Sequence, residues 1–206
     1  MTPDEVATLF TRAGGTYLFA RWGRAIVPVV FGVDDATLSV VKGAVEAVAT
    51  LAGHPMAETD AELGANLMVF FLRDWAELAA IRDLDKLIPD LGPLTDRLIA
   101  ANANQYRAFR FEPEGQIKAA FVFLRMDAPL SEMPAEDLAL LQAAQVILLW
   151  SDCAFAGAAP LVRADGVAVL RPDIAAVICA AYDRMMPPVA RDPSHALRMA
   201  ARLVGA

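Results

Sequence analysis

Histidine and cysteine are scarce in this chain, with two of each among 206 residues. His54 and His195 have no HxxxH or HxH companion, and Cys153 and Cys179 form no CxxC or zinc-type spacing. No compact transition-metal site is therefore written into the sequence, and no cofactor is expected. Both cysteines sit in apolar stretches and read as reduced core thiols. Long hydrophobic runs are also missing: Leu67 to Leu72 and Val146 to Trp150 fall far short of the ~20 residues that cross a bilayer. Basic charge is in deficit, with 18 Lys and Arg against 25 Asp and Glu and a formal net charge of −7, which argues against nucleic acid as a partner. Gly14-Gly15 and Gly23 lack the strand-to-helix context of a phosphate loop and read as turns. The opening residues MTPDEVATLFTRAGG carry acids where a secretory signal carries base, so the cytoplasm is the expected location.

What the chain does have is apolar surface, 57% of residues with a mean hydropathy of +0.42. That content implies buried helices or a face covered by another subunit. The length suits one domain. Thr2-Pro3-Asp4-Glu5 is a capping box with proline at the first helical position and predicts a helix to about Arg12. Ala25 to Val33 reads as a strand, at an edge or bulged because of Pro28. Asp34 or Asp35 caps a helix whose apolar residues Leu38, Val41, Val45, Val48 and Ala52 recur at helical spacing. After a polar loop, Asn66 to Leu72 is a central strand. Asp74 caps a short helix over 75–81, and helical turns fill 89–104. Tyr106 to Glu112 and Ile117 to Arg125, separated by Pro113-Glu114-Gly115, form a β-hairpin. A long helix is predicted from Ser131 or Glu132 to about Trp150. Asp165-Gly166 joins two short strands, and Pro172 and Asp192-Pro193 open the last two helices.

The long helix holds the most informative residues. Gln142 and Gln145 lie in an almost wholly apolar setting, and a buried amide without a partner costs about 1–3 kcal/mol. They must complete a hydrogen-bond network or line a pocket, and neither can act as an acid or base. Gln145 is expected inside the fold, bonded to sheet backbone or to Gln142.

The order strand, helix, strand, hairpin, buried helix and C-terminal helices is similar to that of zincin-like metallopeptidases, whose metal-binding helix follows an antiparallel edge pair. More specifically, the chain resembles the bacterial family known as domain of unknown function 2927. The resemblance is carried by Arg21-Trp22-Gly23-Arg24 with the following strand and Gly64-Ala65-Asn66-Leu67, by Gln145 to Asp152, and by Ile174 to Arg184 before Pro187-Pro188. It implies a zincin-like α+β domain with a small mixed sheet and an antiparallel hairpin packed on the buried helix. Residues 1–20 would form an N-terminal helix and turn, and residues 22–203 the core. Laid on the pattern HExxH, Leu141 and Gln145 stand at the two histidines and Gln142 at the general-base glutamate. Leu148 and Ser151 stand where an extended pattern has glycine and a third ligand. Neutral amides bind zinc poorly and leave no carboxylate to activate a metal-bound water. The resemblance thus implies a pseudoenzyme that binds a protein partner or itself.

Other residues admit two readings each. Gln142, Gln145 and Asp152 are the best polar lining of any residual pocket, although Asp152 also suits a turn or an arginine partner. Arg21 and Arg24 around Trp22 could grip a carboxylate or phosphate, or form surface salt bridges. His54 can interact with the preceding helix C-terminus. Ser151 lacks both a GxSxG elbow and a histidine base. Met185-Met186-Pro187-Pro188 is either an adaptable contact surface or a cover for the core. A hydrolase would need Asp152, His195 and Arg24 brought together by folding. A small-ligand binder would need a pocket formed by Phe121, Phe123, Gln145 and Trp150.

Overall fold

Thr2 begins the structure as its sequence requires. Its Oγ1 accepts from the Glu5 amide at 3.2 Å, while Glu5 Oε2 accepts from the Thr2 amide at 2.7 Å, starting helix α1 (Pro3–Phe10). The computed structural model describes residues 1–59 and 64–203, so the polar loop expected before Asn66 lies partly outside the described residues. Within them the chain is α+β. After strand β1 (Phe19–Ala20), β2 (Pro28–Phe31) leads into α2 (Asp35–Leu51), whose N-cap Asp34 accepts from Thr37 at 2.8 Å. Gly32 makes the exit possible: its φ is +84°, and a Cβ there would stand 2.3 Å from the Phe71 carbonyl oxygen.

The main sheet is built from β2, β3 (Leu67–Leu72), β4 (Gln105–Phe111) and β5 (Ile117–Arg125) in the order β2-β3-β5-β4. The first three are parallel, and β4 runs antiparallel to β5 as a free edge. Pro28 is tolerated because β2 is the opposite edge. Asn66 sets the register of this edge by accepting from the Val27 amide at 2.7 Å and donating to the Ala25 carbonyl at 2.9 Å. Side chains alternate across the sheet. Leu67, Val69, Val122 and Leu124 join the larger core, while Phe70, Leu72, Phe121 and Phe123 face a second cluster. That cluster is closed by a 3-10 turn (Trp75–Ala80), α3 (Leu84–Leu87) and α4 (Leu91–Ala100). Asp74 caps the turn, and Trp75 Nε1 donates to the Ala103 carbonyl at 2.8 Å.

The helix expected from Ser131 or Glu132 to Trp150 is shorter, α6 (Ala135–Val146), and a separate turn, α5 (Ala128–Ser131), precedes it. Pro134 accounts for the break, since the residue before a proline is pushed out of helical geometry. The early end at Val146 has a different cause. Beyond the helical C-cap Ile147, residues 148–151 leave the helix because amides find carbonyls elsewhere: Leu149 donates to Ala20 at 2.9 Å and Ser151 to Leu9 at 2.8 Å. The helix carbonyls left behind are capped by side chains, Ala144 by Trp150 Nε1, Val146 by Trp22 Nε1 and Ile147 by the Tyr182 hydroxyl, each at 2.8 Å. Each such carbonyl would cost about 1–3 kcal/mol if buried unpaired. Asp152 is consequently six residues past the helix, outside the reach of its dipole.

Strands β6 (Leu161–Ala164) and β7 (Val167–Leu170) form a hairpin over Asp165-Gly166, both with positive φ as an Asp-Gly turn requires. Helix α7 (Pro172–Ala181) follows, β8 (Val189–Ala190) pairs with β1, and α8 (Ser194–Leu203) packs on α1. Cys153 and Cys179 are free but exposed, which corrects the core-thiol expectation. Cys153 lies in the turn after Ser151 and Cys179 on the outer side of α7, each with its thiol turned to a backbone carbonyl. Of the paired methionines, Met186 is buried and Met185 projects outward.

His195 joins α8 to the N-terminal segment. It is 3% exposed, its Nδ1 lies 2.8 Å from the Tyr17 hydroxyl, and its Nε2 has no partner among the described residues. Burial, helped by Arg198 and Arg21, pushes its pKa from 6.5 down to about 4. The unfolded chain therefore takes up this proton first as pH falls, so the contribution is intact above pH 6.5 and is lost between 6.5 and 4. The full loss is about 3 kcal/mol. His54, also lowered by burial, acts in the same direction. Urea midpoints should fall steeply between pH 6.5 and 4.5, and the His195→Gln variant should flatten most of that slope.

Candidate functional site

Arg107 is the centre of the polar site, and β4 places it there. Alternation along the strand puts Gln105, Arg107 and Phe109 on the face toward α6, where Gln142 and Gln145 stand one turn apart. Arg107 Nη2 donates to Gln105 Oε1 at 2.8 Å, to Gln142 Oε1 at 2.6 Å and to Gln145 Oε1. Gln142 Nε2 in turn donates to Gln105 Oε1 at 3.2 Å. Gln142 is 4% exposed, whereas Gln145 is half-buried. The expected partners, sheet backbone or the other glutamine, are thus replaced by a guanidinium, because a charged donor outbids neutral groups for an amide oxygen.

This cation is unusual in having no anion. Among the described residues no carboxylate lies within ion-pair distance of Arg107, and its Nε is buried without an acceptor. Burial lowers its pKa to about 10, so it remains protonated at neutral pH. The amide oxygens offset part of its desolvation but carry no net charge.

The guanidinium borders a groove of about 850 Å³ along the free edge of β4. Arg12, Arg107 and Asp152 supply its charge, and Trp150 and Phe155 part of its apolar wall, whereas Arg110 borders it with a guanidinium turned to the other face of the sheet, over Phe121. Two guanidinium groups, those of Arg12 and Arg107, thus stand against one carboxylate, on a chain whose net charge is −7. Phe10 stacks on Trp150 at 5.4 Å, and Phe155 stands edge-on to it at 5.1 Å, so this wall is braced by the core. The aromatic lining differs from that expected. Gln145 and Trp150 border the groove, but Phe121 and Phe123 point through the sheet into the second cluster.

The remaining candidates serve structure. Asp152 accepts from the Ala13 amide at 3.1 Å, tying down the Gly14-Gly15 turn. Arg21 donates to the carbonyls of Ala181, at 2.8 Å, and Met186, at 3.2 Å, and lies over the Tyr182 ring at 5.2 Å. Arg24 pairs with Glu112 at 3.2 Å. Neither arginine belongs to the groove. His54 Nε2 contacts the Arg24 carbonyl at 2.8 Å rather than the preceding helix end. Ser151 Oγ donates to the Thr8 carbonyl at 3.2 Å. Asp152, His195 and Arg24, the trio a hydrolase would need, bond to three separate partners and not to each other. Among the described residues no three His, Cys, Asp or Glu side chains are grouped for a metal, and no helix is long and apolar enough to cross a membrane.

Arg107 and Gln105 are the site residues that sequence reasoning missed. The signal was the alternation in Gln105-Tyr106-Arg107-Ala108-Phe109, which sends an arginine toward a helix carrying two orphan amides. No protein-family model, no curated protein and no solved structure matches the chain. Gln142→Leu removes one acceptor from the buried cation and should lower stability by about 1–3 kcal/mol. A change in urea midpoint equivalent to less than about 0.5 kcal/mol would show that Gln142 does not hold Arg107.

Proposed function

We propose that this chain is a non-catalytic, cytoplasmic binding protein on a zincin-like scaffold, and that its groove along β4 holds a small ligand. The observation that carries the reading is the Arg107 cluster. Where a zincin-like reading expects ionisable or metal-ligating groups on the buried helix, Gln142 and Gln145 spend their amides fixing a guanidinium. Such a cluster orients and binds, but it neither takes nor gives a proton at neutral pH. The antiparallel edge pair preceding α6 supports the scaffold part of the proposal. The groove volume falls within the few hundred to ~1,000 Å³ of small-molecule sites. In protein-observed NMR, a library of small fragments should shift resonances of Arg107, Trp150 and Phe155 together. Untagged protein prepared without chelators should contain no stoichiometric zinc and should not cleave casein. Metal-dependent cleavage would overturn the reading.

Self-association is a second reading, favoured by the other edge of the sheet. Phe31 on β2 is 44% exposed and stacks on Phe70 at 4.7 Å, leaving an aromatic pair at a strand edge open to pairing. Light scattering should then give a dimer mass at micromolar concentration and a monomer mass for Phe31→Ser.

A further inference from the structure

We infer that the ligand of the β4 groove carries a carboxylate on an apolar body, and that Arg107 is the residue that binds it. This rests on the groove being a binding site and names the chemistry it selects. All three glutamine contacts use Nη2, while Nη1 makes no hydrogen bond with a described residue and, unlike Nε, is not sealed from solvent. A partly committed guanidinium beside a groove is a preorganised half of a charge-assisted pair. Its position is fixed by the glutamines and its charge is left uncancelled. Taking up an anion there requires little rearrangement, and the low local polarity strengthens the attraction.

The other groove residues refine the choice. Arg12 adds positive potential along the same edge, while the Arg110 guanidinium is held on the opposite face, 5.9 Å over the Phe121 ring with Nη2 donating to the Leu87 carbonyl. Asp152 works against multiply charged anions, so a single negative charge fits better than a phosphoryl dianion. Phe155 and Trp150 offer an aromatic wall to the uncharged part of the ligand.

Calorimetric titration of the full chain with phenylacetate, its neutral isostere phenylacetamide, and inorganic phosphate tests this, with NMR locating each probe. Phenylacetate should bind once per chain and weaken with added salt. Phenylacetamide and phosphate should each bind at least about ten-fold more weakly. Gln142→Glu leaves Arg107 in place and gives it an internal carboxylate. It should keep the wild-type fold by circular dichroism and lose phenylacetate affinity by at least about ten-fold. Equal binding of acid and amide overturns the inference, as does failure of phenylacetate while neutral fragments still occupy the groove. Tighter phosphate binding overturns it in favour of a phosphoryl ligand. If no probe or fragment perturbs the groove at millimolar concentration, the binding function itself falls.

Discussion

The structure depends on the four residues that follow the C-cap of α6. Residues 148–151 run as a strap through the middle of the molecule, donating backbone hydrogen bonds to Ala20 and Leu9 and bridging Arg21 at Leu148. The strap ties the N-terminal helix to the sheet and helix layers. It exists only because two tryptophans and a tyrosine take the carbonyls that a longer helix would have used. A buried helix end must be satisfied by something, and here aromatic N–H and O–H groups do so while their rings fill the core. The arrangement also places Trp150 at the groove wall, so one packing solution ends the helix and shapes the site.

Gln142 and Gln145 belong to the same economy of buried polar groups. The sequence shows that they need partners. It does not show which, because the partner comes from a strand about 35 residues earlier whose register is set by pairing with β5. The result is a cluster in which one charged group orders three neutral ones. Buried polar networks of this kind fix the positions of their members.

Much of the architecture was legible from local signals. Thr2-Pro3-Asp4-Glu5, the 3.6-residue spacing from Leu38 to Ala52, the apolar run Leu67 to Leu72, the hairpin across Pro113-Glu114-Gly115 and the Asp165-Gly166 turn each act over a few residues, and each forms close to its expected place. The helix end at Val146 was not legible, because apolar residues 148–150 have good helical patterning and are pulled out by tertiary partners. Thiol burial was misjudged for a related reason: apolar neighbours in sequence do not fix which way a cysteine faces. At the site, amide chemistry could be read from the helix, but the cation could not. Arg107 looks like one of several basic residues on a polar strand until the sheet and helix are placed face to face.

The insert between β3 and β4 has its own small core around Trp75, Leu78, Leu84 and Leu94, on the side of the sheet away from α6. Its α3 end accepts from Arg110 through the Leu87 carbonyl, which makes that arginine a tether between insert and groove rim. Segments with separate, modest cores open locally at a fraction of the global unfolding free energy. Arg110 is therefore a clasp against such opening, holding the insert to β4 on the face of the sheet opposite Arg107, so that neighbouring positions of one strand serve two separate cores.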